Sequence, residues 1–427
     1  MEQPPAQQLP QSDPALEEFG RLRLKRVEAE YQHNASAFLA EFQSTAASLQ
    51  PDEGIKLELT YLHENTKSLK AVLSDPQANK ICSLQWDYSG EEAINSIIPL
   101  LNNNCPELAS LKVDFEYHSA FDFVSSLLEH PSNKIKVLEM PPNTEGDSAR
   151  FFAALGQSQV SVLTLSIGDS PEFAQGLFEY LAKDLLVRLK VMMHCKQVPP
   201  EMLVPLAKCT RLAQLKWVWC LFSQSTAFPK SITKLELENC TFAGGLDWSF
   251  LAGSNVRELD LYNVNGVDGN QLGSVLADYL RAKGLAELRL VFCDFVDETL
   301  AVIGVDIGRI KRLMLEDDRV NDASVELIAL TLQSPNNEMK ELVLDYAASS
   351  IETHLVPALK HPNCNLAELL LLAYDEHKEA AKKVEDMFHN RRALFALLQG
   401  QQVRRRSPCP LRRLPVEMLR LVGMVLL

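Results

Sequence analysis

The stretch Ile232-Thr-Lys-Leu235-Glu-Leu237-Glu-Asn-Cys240 reads I-x-x-L-x-L-x-x-C, and the chain repeats the phrase with variations about thirteen times. Clear copies are Val256-x-x-Leu259-x-Leu261, Leu285-x-x-Leu288-x-Leu290-x-x-Cys293 and Ile310-x-x-Leu313-x-Leu315. Leucines two apart point to one face of a strand, because strand side chains alternate with period 2. The apolar residue three positions earlier turns into the same core. Each phrase therefore buries one side only and needs a neighbour, which the next copy supplies.

The middle leucines of the copies are Leu57, Leu84, Leu111, Leu138, Leu163, Leu189, Leu215, Leu235, Leu259, Leu288, Leu313, Leu342 and Leu369. The mean step between them is 26 residues; the shortest, Leu215 to Leu235, is 20 and predicts a copy with a lost helix or a short loop. Between phrases lie amphipathic stretches such as Asp122-Phe-Val-Ser-Ser-Leu-Leu128 and Gln271-Leu272-x-x-Val275-Leu276-x-x-Tyr279-Leu280. Apolar residues at i, i+3, i+4 and i+7 predict helices with one buried face. His130-Pro131, Ser334-Pro335 and His361-Pro362, each followed closely by asparagine, stop those helices. The unit is strand, loop, helix, turn, and the fold class is α/β.

The 427 residues and net charge of −14 set outer bounds. Length alone suggests several domains, but regular repetition argues for one elongated array. The acidic balance disfavours nonspecific nucleic-acid binding, which needs a basic footprint. Nine scattered cysteines without a CxxC read as reduced structural thiols, which places the chain in the cytoplasm, with the nucleus as alternative. The polar N-terminus does not resemble a signal peptide, and no apolar run is long enough for a membrane span.

Residues 1–14, rich in Gln and Pro, read as a disordered tail. Over 15–51 the spacing of Leu16, Phe19, Leu22, Leu24, Val27, Tyr31, Phe38, Leu39 and Phe42 predicts a helical cap, since the end of an array exposes core unless covered. The repeats occupy 52–374. Residues 375–400 read as a C-terminal cap helix, and 401–427 as a basic joint, Arg404-Arg405-Arg406 and Arg412-Arg413, followed by a short amphipathic helix.

The phrase L-x-x-L-x-L-x-x-N/C followed by a helix and a Pro/Asn turn resembles the leucine-rich repeat, and the repeat length resembles its ribonuclease-inhibitor type. The last position is filled by Cys220, Cys240, Cys293 and Asn143, but by Val264, Asp318, Ala347 and Tyr374 elsewhere. The resemblance implies a horseshoe solenoid with a parallel β-sheet on the concave face, helices on the convex face and a protein-binding role. It does not name the partner.

Strand residues between the leucines would face outward on the concave side. Reading them off gives an aromatic strip (Tyr61, Tyr88, Phe115, Trp219, Phe292, Tyr346) and a basic pair (Lys190, Lys216) next to Met192 and Met193. It also gives an acidic stretch: Glu236, Glu238, Glu258, Asp260, Glu316, Asp317 and Asp345, with Tyr262 among them. Aromatic anchors amid charge are typical of protein interfaces, and the acid would steer a basic partner. The competing reading is that the aromatics pack under loops and the charges are merely solvated.

At the extreme C-terminus Leu414-Pro415-x-Glu417-Met418-Leu419-x-x-Val422 resembles the opening of an F-box, a module that docks a substrate receptor on a ubiquitin-ligase adaptor. The alternative is an apolar tail that folds back on the cap or pairs with a partner helix. No phosphate-binding glycine loop, HExxH or GxSxG is present, and neither a catalytic constellation nor metal-ligand spacing emerges. The sequence thus points to a non-enzymatic scaffold without a cofactor, with a ubiquitin-ligase substrate receptor as the second reading.

Overall fold

A computed structural model of the chain describes residues 23–29, 35–59, 66–88, 91–115, 120–140, 147–166, 171–223, 228–316, 320–345, 351–372, 378–379 and 381–389. It is an α/β structure in two compact units, Met1–Val256 and Arg257–Leu427.

In the first unit the strands are β1 (Arg23–Ala29), β2 (Glu53–Leu59), β3 (Ile81–Tyr88), β4 (Ser110–Phe115), β5 (Val137–Glu139), β6 (Val162–Ser166), β7 (Arg188–Gln197), β8 (Gln214–Phe222), β9 (Lys234–Glu238) and β10 (Thr241–Phe242). β1 to β9 pair in chain order, all parallel, and β10 adds to β8. The second unit contains β11 (Glu258–Tyr262), β12 (Leu285–Val291), β13 (Ile310–Glu316), β14 (Glu341–Asp345) and β15 (Glu368–Leu372), again parallel and in chain order.

Register follows the leucines. In the first unit Leu57, Leu84, Leu111, Leu138, Leu163, Leu189, Leu215 and Leu235 are successive partners. In the second, Leu259, Leu288, Leu313, Leu342 and Leu369 are. All of these leucines are buried, and a slip of one residue would turn a whole strand's apolar set out to solvent.

Parallel neighbours need a crossover, and helices supply most of them, as at Ala120–Leu128, Pro171–Leu181 and Gly269–Ala282. Right-handed crossovers place every such helix on the same side of its sheet. Consecutive helices pack on one another there. Their starts are fixed by side-chain caps: Asp147 accepts from the Arg150 amide, Asp268 from Gln271 and Asn321 from Ser324. Between β8 and β9, at the shortest step, no helix occurs among the described residues.

The N-terminal reading needs correction. Among the described residues of 15–51 the helix is Ala35–Ala47, whereas Arg23–Ala29 is a strand, with Val27 paired to Leu57. Leu24-x-x-Val27-x-Ala29 is itself a weak copy of the phrase, with valine and alanine where leucines were sought. Its period-3 spacing also fits a helix, and the pairing edge of β2 decides the matter. At the other end, residues 381–389 are helical and bury Ala381, Val384 and Phe388. Glu385 there accepts a hydrogen bond from the Leu371 amide of β15 at 2.7 Å. The tail at 1–14 and the segment 401–427 lie outside the described residues.

The in/out alternation is directly testable. Leu288→Ala, in a fully buried position, is expected to cost roughly 2–5 kcal/mol of unfolding free energy. Leu370→Ala, on the opposite face, should cost less than about 1 kcal/mol. Denaturant titration of the two variants checks both.

Candidate functional site

Each sheet has a face turned away from its leucines, and the residues on it are held by the strands rather than by loops. In the first unit one row across this face is Glu58, Gln85, Lys112, Glu139, Thr164, Lys190, Lys216 and Glu236, each the register partner of the next. Opposite charges fall side by side in places, and they pair. Glu58 is buried and bound by Arg26 and Lys56, and Lys112 reaches Glu139 at 3.2 Å. Burial alone would raise the Glu58 carboxyl, but the hydrogen bonds from Lys56 and Arg26 outweigh it and hold the group below the usual carboxylate range.

Lys216 stands beside Lys190 in register and is also paired with acid. Its Nζ lies 3.1 Å from Glu236 and 2.9 Å from Glu238, and Glu236 also takes Lys234 at 2.9 Å. Burial pulls the Lys216 ammonium down, yet its two carboxylate partners prevail and its pKa is raised. Burial likewise pushes Glu236 up, and Lys234 and Lys216 bring it below its ordinary value. Lys190, the register partner of Lys216, makes no ion pair among the described residues. Met192 shares its strand face, but Met193 is buried in the core, because adjacent strand residues point to opposite sides.

In the second unit the strands bring Asp260 and Glu316 to a residue not singled out from the sequence, Arg289. Its guanidinium lies 3.5 Å from Asp260 and 3.8 Å from Glu316. Tyr262 meets Phe292 edge to face, with ring centroids 5.6 Å apart. Arg312, also passed over, is held between Glu287 and Glu341. For Arg312 the signal was present: a basic residue in a row otherwise acidic, with Glu258, Glu287, Glu341 and Glu368. Val218 and Val291, in rows read as outward, are buried.

Two of the aromatic positions, Trp219 and Phe292, are left-handed corners. Trp219, Asn239, Asn263 and Phe292 all have φ between 48° and 54°. They occupy the same place in their repeats, just before Cys220, Cys240, Val264 and Cys293. Asparagine tolerates this left-handed conformation, whereas a bulky side chain costs roughly 1–2 kcal/mol there. Trp219 and Phe292 are nevertheless 40% and 50% exposed. The cysteine after three of the four corners is a buried free thiol, and Cys293 and Cys240 lie 3.4 and 3.5 Å from the carbonyls of Leu261 and Trp217 on the preceding strands.

Tyr88 and Phe115 end β3 and β4, though their side chains are not among the described ones. Asp345 ends β14 on the open face, its register partner Leu372. Tyr61, Asp317 and Tyr346 lie outside the described residues, as do Leu414, Pro415, Glu417, Leu419 and Val422. Among the described residues no cluster of His, Cys, Asp and Glu could hold a metal ion, and no helix is long and apolar enough to cross a membrane.

The Glu236 cluster sets a pH dependence. A carboxyl with a lowered folded pKa adds stability above its unfolded pKa and loses it as pH falls through the folded value. Stability should therefore drop on acidification below about pH 4.5, and Glu236→Gln should make that drop shallower. Urea titrations at neutral and acid pH compare the two chains. Neither a protein-family model nor a curated protein matches the chain.

Proposed function

We propose that the chain is a non-enzymatic leucine-rich-repeat scaffold that grips a protein on the concave face of its sheet. The in-register leucine rows and the regular strand–helix alternation support the repeat reading. The observation that carries the binding role is the pair of exposed aromatics, Trp219 in one unit and Phe292 in the other, each at a left-handed corner where Asn239 and Asn263 stand in sibling repeats. A fold optimised only for stability would place asparagine or glycine there and leave no large apolar side chain in water. Exposed aromatics held at a backbone cost are the anchors that interfaces use.

The face around Phe292 favours a basic partner. On the open side of β11 to β15, Glu258, Glu287, Glu341, Glu368, Asp260, Glu316 and Asp345 outnumber Arg289 and Arg312 among the described residues. Such a surplus speeds the approach of a basic surface and weakens with salt. Arg289 and Arg312 space the carboxylates apart and limit their mutual repulsion.

Partner capture with the intact chain, followed by affinity measurement, tests the reading. Trp219→Ala combined with Asp260→Lys and Glu316→Lys should weaken binding by at least about thirtyfold, the size of one anchor. Unchanged affinity would remove the concave face from consideration. Ligase-adaptor subunits in the captured set would instead assign residues 410–427 the adaptor role. Phe292→Asn should raise stability by up to about 1 kcal/mol while lowering partner affinity, since it relieves the corner and deletes the anchor.

A further inference from the structure

The open face of the second unit carries an apolar lane. Met314, Val343 and Leu370 are register partners on β13, β14 and β15, and Leu370 is 49% exposed. On one side of the lane run Arg312, Glu341 and Glu368, and on the other Glu316 and Asp345. Neighbouring strands are about 4.8 Å apart, so the lane is about 10 Å long from Met314 to Leu370. About two turns of helix span it. Its chemistry asks for a ligand with an apolar stripe and basic edges.

The chain contains such a segment. Residues 401–427 hold six arginines and one glutamate in a protein whose net charge is −14. Leu414, Met418, Leu421, Val422 and Val425 fall at the spacing of one helix face, and Arg412, Arg413 and Arg420 fall off it. The segment also starts in the right place. The helix over 381–389 is tied to β15 through Glu385 and Leu371, beside Leu370. The eleven residues 390–400 can reach about 36 Å when extended, several times the length of the lane.

We propose that residues 401–427 dock in cis on the Met314–Val343–Leu370 lane, with their arginines against the flanks of the lane, which stay net acidic although Arg312 pairs with Glu341 and Arg289 with Glu316. The tail then acts as an internal ligand of the partner-binding face, and an external basic partner has to displace it. Tethering raises the tail's effective concentration to the millimolar range, so modest intrinsic affinity suffices.

A benzophenone photo-crosslinker replacing Leu370, and separately Val343, in the intact chain tests the contact. The expected product is a cross-link within one chain to a peptide from residues 401–427. Its yield should fall at least about fivefold when Arg404, Arg405, Arg406, Arg412 and Arg413 are all changed to glutamate, and about threefold in 0.5 M salt. A product of doubled mass would overturn the cis contact in favour of a second copy. Cross-links elsewhere in the chain, or none from either position, would overturn it outright, and an unchanged yield after arginine reversal would remove its electrostatic basis. A chain that shows no cross-link yet still captures its partner loses the tail contact alone.

Discussion

A strand with leucines at alternate positions has one apolar face and cannot bury it by itself. Covering a leucine stabilises by about 1.5–3 kcal/mol, but only once a helix lies beneath it and a neighbouring strand beside it. Leu215 is covered because Leu189 and Leu235 flank it in register, and the same holds for Leu313 between Leu288 and Leu342. Strand order, parallel direction and helix placement all follow from that requirement. Each strand must present its leucines to the same side, and the crossover between parallel neighbours has to pass over that side. Slippage is opposed by the whole row, because one residue of shift would exchange leucine for lysine or glutamate.

The left-handed corners show a different balance. β9, β11 and β12 end just before such a residue, whereas Trp219 lies within β8, at an irregularity in its pairing with β7. Asn239 and Asn263 adopt this conformation at little cost. Trp219 and Phe292 adopt it at a cost and remain exposed. The buried thiols that follow, Cys220, Cys240 and Cys293, keep the turn against the core.

The residues between the leucines are mostly committed to one another. Lys216 is bound by two glutamates, and Arg312 bridges two more. The pairing keeps a densely charged sheet face from repelling itself while its net acidity remains. An acidic field with apolar ground within it is the basis on which we propose a basic, partly apolar ligand, whether another protein or the chain's own terminal segment.

The sequence by itself determined the strand phrases, their common register and the helices between them, because period 2 and period 3.6 are written in Leu235/Leu237 and in Leu272/Val275/Leu276/Tyr279. It also located most of the face residues, since each follows from counting away from a leucine. It misread Arg23–Ala29, whose Leu24 and Val27 suit a helix as well as a strand, until the open edge of β2 selects the strand. It could not reveal that Lys216 is neutralised by β9, that Arg289 sits between Asp260 and Glu316, or that Trp219 and Phe292 lie at left-handed corners. Pairing across strands and backbone handedness arise between segments 20 to 30 residues apart, and only the tertiary structure brings those segments together.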